Sequence, residues 1–325
     1  MNTQTRLKTS TIALITAAVM SVALTSCGSG TSDTVTATKG SFASGINLKG
    51  VSITVGSKEY TEQLVLGQII VQALRATGAT VKDQTGLNGT KVARAALTSG
   101  QIDTYYEYTG TGWLDILQKT KPNNDPQKLF TAVRDADAAN KISWFALAPL
   151  NDTYALGVTA DAAKSTGITT ISQYAELARK DPAKAKVCSS AEFTTREDGL
   201  PGLEKAYGFT LPESSIFQAE STVEFEAAKK GKCDFLRLDS TDARILKNGI
   251  VALTDDKNFF PVYNPAVNMR AEVYKAHQAQ YDKLFNKISA LLTQDAILKL
   301  NAAVELDGLP ADKVALEFLK TNGIL

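Results

Sequence analysis

The run Val51-Ser-Ile-Thr-Val55 is β-branched and short, and it stops at Gly56-Ser57. A few residues on, Leu64, Leu66, Ile69, Ile70, Ala73 and Leu74 form an apolar stripe at helical spacing, opened by Thr61-Glu-Gln. Side chains alternate across a strand but recur every 3.6 residues along a helix, so this change of period predicts a strand, a polar loop and an amphipathic helix. The same change recurs. A strand is expected near Val81, a helix from Thr90 to Ser99 closed by Gly100, and a strand at Ile102-Asp-Thr-Tyr-Tyr-Glu107. Alternation continues to about residue 270, after which the chain reads as helical to its end. Repeated βα units imply mostly parallel sheets covered by helices. Ligands on such sheets sit at the carboxyl ends of the strands, which here are the loops at 56–63 and 107–113. In the first of these, the start of the following helix adds backbone N–H donors for an anion. Strand neighbours Tyr105 and Tyr106 are expected to alternate between core and surface.

With 325 residues the chain can build one large or two medium cores. Lys plus Arg is 35 and Asp plus Glu 34, with no block of one sign, which argues against nucleic-acid binding by phosphate neutralisation. The single histidine, His277, and three distant cysteines, Cys27, Cys188 and Cys233, cannot supply a Cys/His zinc site. They leave a nucleophilic triad resting on one imidazole. No Walker or Rossmann glycine pattern occurs, and the adjacent pair Asp255-Asp256 reads as a turn. The chain is therefore expected to be no enzyme, with no catalytic residues, no metal and no cofactor.

The first residues indicate a compartment. Met1–Ser10 carries Arg6 and Lys8 and no acid, and the uncharged stretch from Thr11 to Ala23 is too short for a settled membrane helix. Leu24-Thr25-Ser26-Cys27 resembles a bacterial lipobox. That resemblance implies a signal peptide over 1–26, cleavage before Cys27 and a diacylglycerol thioether on its sulfur, placing the protein on the outer face of the cytoplasmic membrane. Cleavage removes Arg6 and Lys8 and turns the net charge from +1 to −1. Residues 27–47, rich in Gly, Ser and Thr, read as a flexible tether. Outside the cytosol Cys188 and Cys233, each at the head of an expected strand, can form a disulfide if those strands are neighbours; two buried thiols are the alternative.

Four stretches carry a more specific signal: Gly56-Ser-Lys-Glu-Tyr-Thr-Glu-Gln63, Ile102-Asp-Thr-Tyr-Tyr-Glu-Tyr-Thr-Gly-Thr111, Glu192-Phe-Thr-Thr-Arg-Glu-Asp-Gly-Leu-Pro-Gly-Leu203 and Asp255-Asp-Lys-Asn-Phe-Phe-Pro-Val-Tyr-Asn264. In order and spacing they resemble the extracytoplasmic solute-binding proteins of ABC transporters for glycine betaine, choline, carnitine and related osmoprotectants. The resemblance covers roughly 50–325. It implies a two-lobed periplasmic-binding-protein fold of type II, with lobe 1 at 48–150 plus 258–325, lobe 2 at 151–257, and crossing segments at 147–156 and 253–263. It also implies a monomer that captures a quaternary ammonium solute and hands it to an ABC permease with a separate cytoplasmic ATPase.

A trimethylammonium group has no N–H to donate and a diffuse charge, so aromatic faces suit it, at about 0.5–2 kcal/mol each. By resemblance the cage tyrosines fall on Tyr108, Tyr154 and Tyr263, and carboxylate recognition on Lys58, Thr111 and Arg196, with donors from Tyr60 to Gln63. The family's remaining cage tyrosine precedes a Ser/Thr-Thr-Asp sequence. Here Leu238-Asp239-Ser240-Thr241-Asp242 puts Asp239 in its place. A carboxylate about 4 Å from a cation contributes roughly 4 kcal/mol at an effective dielectric near 20, before desolvation, which favours ligands of net positive charge. Alternatively Asp239 turns aside to pair with Arg237 or Arg244. Two other readings remain: the same fold with a different nitrogenous ligand, such as a histidine betaine or an amino-acid derivative, or an extracytoplasmic enzyme on the same scaffold.

Overall fold

The computed structural model describes residues 41–325. The expected signal peptide and the lipidation site at Cys27 lie outside the described residues. From Ser41 on, the segment read as the end of the tether is packed. Phe42 and Ala43 donate backbone N–H groups to Gly323 (3.1 Å) and Ile324 (2.9 Å), and Ala43 and Ile46 are buried. Composition alone hid these few apolar contacts.

The chain forms two five-stranded sheets. The first contains β1 (Ser52–Lys58), β2 (Thr80–Leu87), β3 (Thr104–Tyr108) and β4 (Ile142–Phe145); the second contains β5 (Tyr154–Thr159), β6 (Val187–Ser189), β7 (Ile216–Gln218), β8 (Phe235–Asp239) and β9 (Ile250–Ala252). The chain then returns to the first sheet as β10 (Pro265–Arg270). Strand orders are β2-β1-β3-β10-β4 and β7-β6-β8-β5-β9. Each sheet therefore has one strand contributed by a crossing, β10 or β5, and that strand runs antiparallel to both of its neighbours. This corrects the expectation of mostly parallel sheets. A strand that enters from another sheet is not bound by the right-handed βαβ crossover, so it can insert in either direction.

Helix α1 (Thr61–Ala76) is buried on nearly all sides, not on one stripe, because the sheet lies on one face and the C-terminal helices Gln294–Glu305 and Ala311–Thr321 cover the other. Helix α2 (Gly89–Ser99) ends at Gly100 in the left-handed conformation, φ +81°. Four helices occupy residues 271–321. β3 is buried at every position, so Tyr105 and Tyr106 are both interior. A strand flanked on both sides and covered on both faces has no surface side. The Tyr105 hydroxyl donates to Glu107 (3.0 Å) and the Tyr106 hydroxyl meets Ser289 Oγ (2.8 Å), which satisfies the polar ends of both rings.

The crossings lie side by side. Asp152 N donates to Tyr263 O (3.0 Å), Tyr263 N to Asn151 Oδ1 (2.7 Å) and Thr153 Oγ1 to Pro261 O (3.0 Å). In the second sheet β6 pairs with β8 in parallel, and Cys188 is bonded to Cys233 with Cα atoms 5.6 Å apart. Among the described residues no helix is long and apolar enough to cross a membrane. Asp255 and Asp256 serve a turn: the first accepts from Tyr207 Oη (2.5 Å) and Phe260 N (2.9 Å), the second from Ser172 N (3.1 Å).

Candidate functional site

The carboxyl ends of β1 and β3 face those of β6 and β8, and the crossings close the side. Between them lies a cavity of about 160 Å³, roughly five water volumes. Seven residues singled out in the sequence line it: Lys58, Tyr60, Tyr108, Thr111, Tyr154, Asp239 and Tyr263. Local geometry explains several. β1 ends at Lys58 and β3 at Tyr108, and antiparallel pairing sets Tyr154 directly opposite Asp239.

Four tyrosine rings therefore reach the cavity, one more than the three read as a cage, because Tyr60 joins them. Tyr154 and Tyr263 lie 5.3 Å apart between centroids at 57°, and Phe193 meets Tyr154 edge-on at 5.2 Å. Gly110 makes this packing possible. A Cβ there would sit 2.6 Å from the Tyr263 ring and 2.8 Å from Val262 O, so any larger residue displaces the ring. Two of the hydroxyls have fixed carboxylate partners. Tyr263 Oη donates to Asp198 Oδ2 (2.8 Å) and Tyr108 Oη to Glu62 Oε1 (2.7 Å).

Two of the singled-out residues are elsewhere. Gln63 is fully buried behind the lining: its Oε1 accepts from Lys58 N (3.1 Å) and its Nε2 donates to Tyr106 O (3.0 Å), holding the loop before α1. Arg196 lies behind the wall. Its Nε donates to Asp198 Oδ1 (2.7 Å), its Nη2 to Asp198 Oδ2, and its Nη1 to Glu192 Oε1 (2.7 Å). Its guanidinium stands 5.7 Å from the Tyr154 centroid and 3.4 Å from Thr111 Oγ1. Lys58, on the wall, is also engaged, donating to Glu107 Oε1 (2.8 Å) and Thr90 Oγ1 (3.1 Å) with its Nζ 5.2 Å from the Tyr108 centroid. Asp239 lines the cavity while accepting from Arg237 Nη1 (2.5 Å), so it pairs with Arg237 without leaving the wall.

The lining residues not singled out are mostly charged: Glu59, Asp152, Glu192, Glu220 and Arg237. Asp152 and Arg237 could have been found from spacing, since residues two apart on an extended segment share a face. Asp152 precedes Tyr154 by two, and Arg237 precedes Asp239 by two. Thr241 Oγ1 donates to Asp152 Oδ1 (2.7 Å). Glu192 has a local partner in Arg196, four residues on, but its second partner, Thr90 Oγ1 (2.6 Å), comes from α2, far away in sequence. Burial raises the Glu192 carboxyl, but the Lys58 and Arg196 charges outweigh that and hold it at about 2. Arg237 also approaches Glu224 (3.4 Å), and burial pushes that carboxyl up to about 7 against the pull of Arg237. Among the described residues no cluster of three or more His, Cys, Asp or Glu is disposed to hold a metal ion.

Contacts join the two sheets' sides across the cavity: Thr90 to Glu192, Arg196 to Thr111, and Asn301 Nδ2 to Thr241 O (3.0 Å). A tyrosine-lined space between two α/β units, closed by such contacts, suits a small ligand held on several sides.

Known proteins agree with this architecture. A protein entitled glycine betaine/carnitine/choline ABC transporter has a solved structure that superposes with a TM-score of 0.64 over 84% of this chain and 98% of that one, at 22% identity. The fold is that of the two-lobed type II periplasmic binding proteins. The glycine betaine-binding protein YehZ of Escherichia coli is 32% identical over 284 residues, 83% of this chain and 90% of that protein. A glycine-betaine-binding protein of Pseudomonas aeruginosa is 31% identical over 291 residues, 88% of this chain and 92% of that protein. Residues 51–321 match the family described as the substrate binding domain of ABC-type glycine betaine transport systems (OpuAC), and this chain belongs to that family.

Proposed function

We propose that the protein captures a small quaternary ammonium solute in the tyrosine-lined cavity and delivers it to the permease of an ABC importer. The observation that carries this is the convergence of Tyr60, Tyr108, Tyr154 and Tyr263 on one buried space in a chain of this family. Membership implies a small solute, a permease and an extracytoplasmic place of work, and the relatives are binding proteins, not enzymes. The two sheets form two lobes, residues 48–150 with 258–325 and residues 151–257, that open about the paired crossings. Ligand contacts spanning both sides favour the closed arrangement by the difference in affinity between the two forms. Leu24-Thr25-Ser26-Cys27 supports anchoring by lipid at Cys27, which a mature mass lacking the diacylglycerol would overturn. The protein acts as a monomer.

Calorimetric titration of the purified protein with choline, glycine betaine and carnitine tests the reading. Saturable binding of at least one, with small-angle scattering reporting compaction, is expected. No binding of any at millimolar concentration refutes it.

A further inference from the structure

The cations around the cavity are all engaged by the chain's own carboxylates: Lys58 by Glu107, Arg237 by Asp239, and Arg196 by Asp198 and Glu192. A ligand carboxylate entering this space would have to displace one of these pairs. At the other end the balance is reversed. Asp152, 6% exposed, is held by the Thr241 hydroxyl, and Glu62, 3% exposed, by the Tyr108 hydroxyl (2.7 Å) and the Asn301 amide (3.1 Å). Neutral donors orient both carboxyl groups. Beyond burial, two further carboxylates, Glu62 and Asp239, act on Asp152 more strongly than Arg237 does.

From this arrangement we infer that Asp152 selects the ligand by charge, so that the solute is a quaternary ammonium alcohol with a net charge of +1, not an onium carboxylate. This rests on the quaternary ammonium reading above. The onium group sits against the Asp152 carboxylate with Tyr60 and Tyr108 beside it, and Asp239 contributes less because Arg237 already compensates it. A zwitterion loses the advantage twice. Its carboxylate is repelled by the same anions, and Lys58 and Arg196 are not free to receive it.

Burial, followed by the Glu62 and Asp239 charges, holds the Asp152 carboxyl well above the usual carboxylate range. The groups facing it are Glu62 from α1, Tyr60 at the start of that helix, Tyr108 from β3, and Arg237 and Asp239 from β8. A fixed cation lowers a carboxyl pKa again, so binding releases a proton and tightens as pH rises through the free-state range.

The test is calorimetry with choline and glycine betaine at pH 5.5 and 8, in buffers of different ionisation heat, on the wild type and Asp152→Asn, with thermal melting as a check on folding. Choline is expected to bind at least tenfold tighter than glycine betaine, more tightly at pH 8, with proton release. In Asp152→Asn the ratio shrinks at least fivefold, chiefly through weaker choline binding, and proton release falls. Glycine betaine binding as tightly as choline in the wild type overturns the proposal while leaving the quaternary ammonium reading intact. So does an unchanged ratio in a folded Asp152→Asn protein. Failure of both ligands to bind overturns the proposal, and failure of carnitine to bind as well overturns the underlying reading.

Discussion

Tyr263→Leu is expected to weaken binding of a quaternary ammonium solute about tenfold, while Tyr263→Phe stays within a few-fold of the wild type. Leucine keeps an apolar side chain in the packed site but removes the π face, worth about 0.5–2 kcal/mol to a desolvated cation. Phenylalanine keeps the face and removes only the hydroxyl that donates to Asp198. An alanine substitution is a poor test, because Tyr263 is only 2% exposed and belongs to the same core as Tyr108. Deleting a ring from such a core costs about 3–5 kcal/mol in stability, which confuses lost binding with lost folding. Equal affinities for the Leu and Phe variants, with melting temperatures matched, would remove Tyr263 from the cage.

Replacing Cys188 and Cys233 together by serine is expected to lower the melting temperature by roughly 5–10 °C and leave ligand affinity within a factor of two. The bridge spans 45 residues of sequence. In the chain-entropy model a loop of that length restrains the unfolded chain by about 4 kcal/mol, an upper figure because such links often deliver less. The bond lies in the second sheet, among Phe225, Leu236 and Leu238, away from the cavity lining. Differential scanning calorimetry under oxidising and reducing conditions reads the effect. No change in melting on reduction would mean that the link contributes nothing to stability.

Much of the fold was legible because strand and helix periods are local properties. The helix from Thr61 and the Gly100 cap each depend on a few adjacent residues, and each is found where those residues put it; the strand expected to stop at Gly56-Ser57 instead runs through both to Lys58, because pairing with β2 continues there. The four motif stretches hold five of the singled-out residues that meet at the cavity, Lys58, Tyr60, Tyr108, Thr111 and Tyr263, and the family resemblance added Tyr154 and Asp239. Less legible was the antiparallel insertion of β5 and β10, since direction within a sheet depends on how the chain returns from elsewhere. The full burial of β3 was also missed, because its Tyr-rich sequence fits an exposed or a covered strand equally well.

The sequence by itself determined the βα alternation, the family and the aromatic character of the site. These follow from backbone geometry, from residue order and from the presence of tyrosines at particular positions. Only the tertiary structure decided which charges meet. Lys58 finds Glu107, Thr90 finds Glu192, and Thr241 finds Asp152, partners separated by 49, 102 and 89 residues. Coulomb energy depends on distance in space and on the water excluded between the charges, neither of which is written in the order of the residues. For that reason Lys58, which looks like a carboxylate receptor in the sequence, is already engaged by a distant carboxylate in the folded protein, while Asp152, inconspicuous in the sequence, faces the cavity beside Tyr60, Tyr108 and Asp239.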